Sequence, residues 1–442
     1  MIKRRNRPRT RSHRIAVPLF IAAAVAGLLV SSSAGASNRH VATAGAAAQA
    51  KKALTPVVLF PAFHFTKLEV IVRDQTAAPG CPRSGTFEDW YQNPHPSKAF
   101  SQVCRDELMT LRYNPDPAVP MPERFSNQAG VTVRIIDYGS TASAPFYDPM
   151  YKALEKVGYT ADKNIRVAGY DARLTPDMGG FLARSVKLVE ATYRANGDTP
   201  VQLVGHSNGP LYAQYLLTHT SRAWRHKYIH GFMPIAGNLP GQGSVYSLMF
   251  TGLNIENFSY PTTHANAVSS ARMFLSSPAS YMSSGDPAVF GRSEVVLVDK
   301  ATGVKYTPAD YQRLFTDAHL PDALQIAKYY IGFVKFRDPA DFPDVDVSAE
   351  RGSGIATVVG AVLPNLTVGQ LTTSKTRFLT RDGDINQEDT TNTASLVWKH
   401  MRCYRYSLTD HPGVDHFQLP SNPSVLAQLI AAAERPRSRC AP

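Results

Sequence analysis

The chain has 442 residues, 43% of them hydrophobic and 19% charged, a globular composition with length enough for one large elaborated domain or two domains. Its formal net charge of +12 overstates how basic the body is. Seven of the 47 basic residues lie in the opening MIKRRNRPRTRSHR, and without them 40 basic residues face 35 acidic ones, a balance that argues against nucleic-acid binding.

The basic head runs into IAVPLFIAAAVAGLLV (15–30) and then SSSAGAS, in which Ala34-Gly35-Ala36 has the small-x-small form of a signal-peptidase site. This predicts a secretory signal over 1–36 and an exported protein, extracellular or held in the periplasm or cell envelope. Sixteen residues interrupted by Pro18 fall short of the about 20 that a membrane span needs, which points to a peripheral protein. An Ala-rich polar lead-in covers 37–54.

TPVVLF (55–60) reads as a buried strand ending in the turn PAFHFTKLE. An early excursion over 75–125 holds Cys81, Trp90 and Cys104 and reads as a disulfide-tied lid loop. Further strands are expected at VTVRIIDYG (131–139), IRVAGY (165–170), TPVQLVG (199–205) and YIHGFMPIAG (228–237). Leu182, Val186, Val189 and Tyr193 share one helical face between the second and third of these. Strands alternating with helices imply βαβ units and a mostly parallel sheet, an α/β fold.

The alternation breaks over 240–370, which is rich in Ser, Pro, Gly and aromatics and too long to be a plain loop. It reads as a cap inserted between a first core part (55–239) and a second (371–442). The second part offers TSKTRFLTRDGD (373–384), HMRCYRYSLT (400–409) and a final helix capped by Asn422 with Pro423 at its first position. Four cysteines in an exported chain suggest two disulfides, and proximity favours Cys81 with Cys104 and Cys403 with Cys440.

The chemistry centres on VQLVGHSNGPLYAQYLL (201–217). A G-x-S-x-G pattern arises by chance in roughly one chain in seven of this length, so its flanks matter more. A β-branched run before it and a helix start with Pro210 after it supply the strand, sharp turn and helix of a nucleophile elbow. Ser207 is then the candidate nucleophile, and a serine hydroxyl needs an imidazole, an orienting carboxylate and N–H donors for the oxyanion. In α/β-hydrolases these follow in the order Ser, acid, His. Asp384 is the expected acid, with Asp382 the alternative, and His416 before the last helix is the expected base, with His411 the alternative.

Two metal readings compete. Asp382, Asp384 and Asn386 have the first spacings of a calcium loop, but Gln387 and Thr393 stand where it needs Gly and Glu. Asp410, His411, Asp415 and His416 could form a metal cluster instead. No cofactor or metal is expected. The oxyanion donors are expected to be the main-chain N–H of Asn208 and one from the first turn, at His64 or Phe63.

These pieces together resemble the lecithin:cholesterol acyltransferase family, from about Pro56 to Leu429. The resemblance rests on P-V-V-L-F-P-A-F-H-F-T-K-L-E, the Cys81 to Cys104 loop around Trp90, L-R-Y-N-P, G-Y-D-A-R-L-T-P (169–176), G-H-S-N-G, A-W-R-H-K-Y-I-H-G-F-M-P-I-A-G (223–237), D-G-D and G-V-D-H-F. It implies an α/β-hydrolase fold with an inserted cap, catalytic roles for Ser207, Asp384 and His416, His64 as an oxyanion donor and Trp90 in an interfacial lid. It also implies acyl transfer from phospholipid or another acyl-lipid to an alcohol or to water, at a membrane or lipoprotein-like surface. Three segments depart from the family pattern: P-A-F-H-F for P-G-x-x-G, Ala172 for Trp, and A-G-N-L-P-G-Q-G for a G-A-P-x-G-G type turn. The family's second disulfide is missing from its usual place, and Cys403 with Cys440 reads as a local substitute. A catalytically silent lipid-surface protein on the same fold and a generic secreted esterase are the rival functions.

Overall fold

The computed structural model describes residues 54–91, 93, 97–252, 263–370 and 377–440, all within the unit Lys52–Pro442. The export signal and nearly all of the lead-in lie outside the described residues.

The central sheet has six strands, all parallel, in the order Tyr406–Pro412, Val347–Ser353, Ile229–Ile235, Val201–His206, Val57–Phe60 and Ile165–Val167. Val57–Phe60 and Val201–His206 are buried at every residue, because helices cover both faces. Val58, Phe60 and Leu203 pack on one side with the helices Phe181–Ala195 and Gly209–Thr218. Val57, Leu59 and Val204 pack on the other with Asp148–Lys156 and Pro423–Glu434. The period-2 alternation of a strand thus splits one continuous apolar run between two cores.

Three expectations about strand placement need correction. Val131–Ile135 does not enter the central sheet; it pairs antiparallel with Leu68–Val72, which also pairs with Gly85–Asp89. Its V-T-V-R-I alternation suits a sheet covered on one face, whereas Val57–Phe60 in the middle of the central sheet is apolar at every residue. This small sheet and the helix Gln102–Met109 make the early excursion an ordered subdomain, closed by the Cys81–Cys104 disulfide. Second, Val347–Ser353 is a central strand although it falls within the stretch 240–370 expected to be cap. It is polar in sequence, VSAERGS, and its polar groups are paired: Glu350 with His411, Arg351 with Asp410 and Asp389, Ser353 with Asp410. Third, Arg377–Gly383 belongs to a second sheet, in the order Lys305–Tyr306, Leu297–Asp299, Ile355–Leu363, Arg377–Gly383. That sheet and the helices Ser244–Thr251, Tyr311–Asp317 and Pro321–Tyr330 share their own apolar core. Cys403 and Cys440 are joined, which ties the chain's end beside the edge strand Tyr406–Pro412.

Candidate active site

The strand Val201–His206 ends in Ser207, whose φ of 59° is left-handed, a conformation uncommon outside glycine. Its backbone is held from both sides: its N–H donates to the Ile235 carbonyl at 3.0 Å and its carbonyl accepts from Asn238 at 2.8 Å. The flanking glycines are required by space. A Cβ on Gly209 would lie 2.0 Å from the Phe60 carbonyl oxygen, and one on Gly205 would lie 2.7 Å from the Pro210 nitrogen. The helix Gly209–Thr218 can therefore begin directly against the end of Val57–Phe60, with the Asn208 N–H at its positive end.

Asp384 arrives by an indirect route. The chain leaves Val347–Ser353 at Gly354, makes the antiparallel hairpin of Ile355–Leu363 and Arg377–Gly383, and returns to the same place. A Cβ on Gly352 would lie 2.7 Å from that of Asp384 and 2.4 Å from the Val414 carbonyl, so this glycine lets the acid loop and the histidine loop close together. Asp384 is fully buried and both oxygens are engaged: Oδ1 accepts from the N–H groups of Asn386 (3.1 Å) and Gln387 (2.7 Å), and Oδ2 lies 3.0 Å from His416 Nδ1. The His416 N–H also donates to the Asp384 carbonyl at 2.8 Å. With Nδ1–H committed to a carboxylate, Nε2 is the basic nitrogen of His416.

Ser207 and His416 line one cavity of about 380 Å³, together with Asn208, His64, Phe63 and Trp90. Gln387 Nε2 reaches Ser207 Oγ at 3.4 Å, joining the acid loop to the elbow. The alternatives lie elsewhere. Asp382 is exposed and accepts from Gly354 N–H at 3.3 Å. His411 is bound to Glu350 at 2.6 Å between two central strands. Burial pushes the Glu350 carboxyl up to about 8 and pulls the His411 imidazole below its ordinary value. Neither alternative lines the cavity. Asp382, Asp384 and Asn386 do not converge as a calcium loop would require, since Asp384 turns inward to His416 and Asp382 outward.

The first turn is tied to the same centre by residues to which no sequence motif assigns a role. Tyr147 Oη accepts from Ala62 N–H at 2.8 Å and lies 2.9 Å from His206 Nδ1. His206 Nε2 lies 3.0 Å from the His416 carbonyl. That carbonyl can only accept, so His206 carries its proton on Nε2 and takes the Tyr147 hydroxyl on Nδ1. Burial, then the His416 ring, hold His206 well below its ordinary pKa, consistent with a neutral imidazole. The only sequence signal was the histidine inside G-H-S-N-G, and nothing pointed to Tyr147.

His64 has a φ of 64°, a left-handed conformation uncommon outside glycine. Its ring lies 2.8 Å from Asp89 Oδ2 and its carbonyl accepts from Tyr91, which docks the turn against the Cys81–Cys104 subdomain. Burial works against the Asp89 carboxylate, but His64, helped by Arg105 and Arg173, outweighs it and holds the group below its usual range. Asn208 has a side-chain role as well: Nδ2 donates to Ser283 Oγ at 2.7 Å and Oδ1 accepts from Asn238 at 2.5 Å. Part of the cavity wall is apolar, with Leu68, Met109, Val245, Leu248 and Phe274, a lining suited to an acyl chain beside a serine hydroxyl.

Comparison with known proteins gives a consistent set of likenesses. Residues 100–353, more than half of the chain, match the family model described as lecithin:cholesterol acyltransferase. The chain is 29% identical over 318 residues to the lysosomal phospholipase A and acyltransferase of Mus musculus, covering 68% of this chain and 72% of that one. It is 27% identical over 265 residues to lecithin-cholesterol acyltransferase-like 1 of Oryza sativa subsp. japonica (56% and 58% covered). It is 24% identical over 306 residues to the phosphatidylcholine-sterol acyltransferase of Gallus gallus (67% and 71% covered). A chain of the Tle4-Tli4 complex crystal structure superposes with a TM-score of 0.50, covering 86% of this chain and 97% of that one at 12% identity, a likeness of fold alone.

Proposed function

The chain belongs to the lecithin:cholesterol acyltransferase family and has an α/β-hydrolase fold, and on that basis we propose that it transfers a fatty acyl group from phospholipid to an alcohol or to water through an acyl-enzyme on Ser207. The observation that carries this reading is the buried Asp384–His416 pair facing the same cavity as a left-handed serine at a strand-to-helix elbow. The relatives' names, phospholipase A and acyltransferase among them, support the substrate class.

Ser207 Oγ attacks the acyl carbonyl and gives its proton to His416 Nε2, while Asp384 steadies the imidazolium through Nδ1–H. The Asn208 N–H at the helix start and a main-chain N–H of the first turn, at His64 or Phe63, hold the oxyanion. Collapse breaks the ester bond of the donor, and its leaving oxygen takes the proton from His416. Water or an alcohol then adds to the acyl carbon as its own proton passes to His416, and Ser207 leaves with that proton restored. Trp90 and the Cys81–Cys104 subdomain border the cavity and form the side that meets the lipid surface. Two disulfides support an exported or lumenal protein. Among the described residues no helix is long and apolar enough to cross a membrane, in keeping with peripheral binding.

A fluorophosphonate probe and phosphatidylcholine liposomes test the proposal. The probe labels the native chain and not Ser207→Ala, and liposomes yield lysolipid with either free fatty acid or acylated alcohol. Absence of labelling removes the nucleophile and leaves the silent lipid-binding reading in its place, whereas labelling that survives Ser207→Ala moves the nucleophile to another residue.

A further inference from the structure

The helix Gln102–Met109 turns one face to the cavity, since Gln102, Arg105, Asp106 and Met109, spaced i, i+3, i+4 and i+7, all line it. That face is held in place. The Cys81–Cys104 disulfide lies next to Arg105 in the chain, and the Ser101 side chain accepts the Cys104 N–H at 3.3 Å. Asp106 accepts from Ser269 Oγ (2.8 Å) and Ser270 Oγ (2.6 Å) of the helix His264–Ser276.

Arg105 differs from the other charged side chains of that cavity. Asp89 is bound to His64 at 2.8 Å and Asp106 to its two serines. Asp171 pairs with Arg173 at 2.6 Å, and Arg173 directs its other donors to the Met109 carbonyl (2.9 Å) and Asn127 Oδ1 (3.0 Å). Arg105 Nε is buried without a partner, while its two terminal nitrogens, equally unpartnered among the described residues, keep accessible surface. A guanidinium stays charged at any ordinary pH, and its planar fork matches two oxygens of an oxyanion. Asp89 and Asp106, the carboxylates that feel its charge, already have their own partners. The oxyanion that would complete Arg105 therefore has to arrive with a ligand.

We propose that Arg105 contacts the phosphodiester of the donor lipid and makes the chain favour a phospholipid over a neutral acylglycerol. This rests on the acyl-enzyme reading above and adds a residue that recognises the donor. Attack by Ser207 keeps the acyl group on Oγ and releases the phosphate with the lysolipid. Arg105 therefore acts on formation of the acyl-enzyme and has no ligand during its breakdown.

The test presents dioleoylphosphatidylcholine, dioleoylphosphatidylmethanol and dioleoylglycerol, one at a time, to the full chain in uncharged detergent micelles, and follows loss of each donor by mass spectrometry. Arg105→Met is expected to cut the rate on either phosphodiester by about tenfold or more, relative to dioleoylglycerol and to the rate of fluorophosphonate labelling. Arg105→Lys keeps the charge without the fork and is expected to cut it about threefold; it serves alone if Arg105→Met does not fold. A relative rate left unmoved, as equal losses on all three lipids from a purely structural role would leave it, overturns the contact. So does a loss on phosphatidylcholine that phosphatidylmethanol does not share. Labelling of the native chain without deacylation of either phosphodiester overturns the contact and leaves the nucleophile intact. Absence of labelling in the native chain instead fails the acyl-enzyme reading, and the donor contact with it.

Discussion

Replacing Tyr147 by Phe isolates the connection between the first turn, the elbow and the base. Tyr147 is 1% exposed, and its hydroxyl bonds both Ala62 N–H (2.8 Å) and His206 Nδ1 (2.9 Å). The ring contacts with Phe65, Phe146 and His206 survive the substitution, so little packing is lost. What remains is one donor and one acceptor, both buried, each costing about 1–3 kcal/mol unpaired; with partial relaxation the sum is about 2–4 kcal/mol. The turn bearing His64 and Phe63 loses an anchor and His206 Nδ1 loses its donor, so ester hydrolysis is expected to slow about tenfold or more. Tyr151→Phe is the matched control, because that buried hydroxyl makes a single bond, to the Ala144 carbonyl at 3.2 Å. Urea denaturation gives the stability change as a shifted midpoint at constant slope, and hydrolysis of a soluble aryl ester gives the rate. If Tyr147→Phe destabilises no more than Tyr151→Phe and leaves the rate untouched, the network does not couple these parts.

Three further outcomes follow from the same geometry. Gly209→Ala places a methyl 2.0 Å from the Phe60 carbonyl and must push the helix off the central strand; a loss of about 3 kcal/mol or more is expected by urea denaturation, together with loss of fluorophosphonate labelling. Asp384→Asn is expected to reduce ester turnover by about 10³-fold or more, while Asp382→Asn, at an exposed position, leaves it within about twofold; steady-state kinetics reversing that order would move the acid role to Asp382. Burial, and then the adjoining Glu294 carboxyl, push Glu388 from an ordinary 4.5 up to about 9. The folded chain therefore keeps a proton that the unfolded chain releases, and the contribution of Glu388 to stability should fall as pH rises from about 4.5 to about 9, by up to about 1.4 kcal/mol per pH unit. Urea midpoints of the native chain and Glu388→Gln at pH 5, 7 and 9 isolate this contribution by difference, because His206 and His411, held below their ordinary value, act in the opposite sense; a native-minus-variant stability that grows with pH would contradict the assignment.

Much of the scaffold was legible because local chemistry demanded it. VVLF is apolar throughout and VQLVGH is apolar apart from Gln202 and His206, a composition that suits a doubly covered strand, and both are central. The same criterion, applied more strictly, would have set V-T-V-R-I apart, since its polar alternation marks a sheet with one covered face. Val347–Ser353 was illegible for the opposite reason. Its Glu350 and Arg351 make it look like a loop, and their partners His411, Asp410 and Asp389 are about 40 to 60 residues away in sequence.

The sequence by itself determined the elbow, because two glycines flanking a serine between an apolar strand and a helix are a local requirement of a left-handed turn packed against a neighbouring strand. It also determined the order of candidate acid and base. Only the tertiary structure decided between neighbours: Asp384 over Asp382 for the contact with His416, and His411 as a partner of Glu350 in the central sheet. Those choices depend on where a hairpin of the second sheet returns the chain and on the absence of a Cβ at Gly352, which lets two distant loops meet.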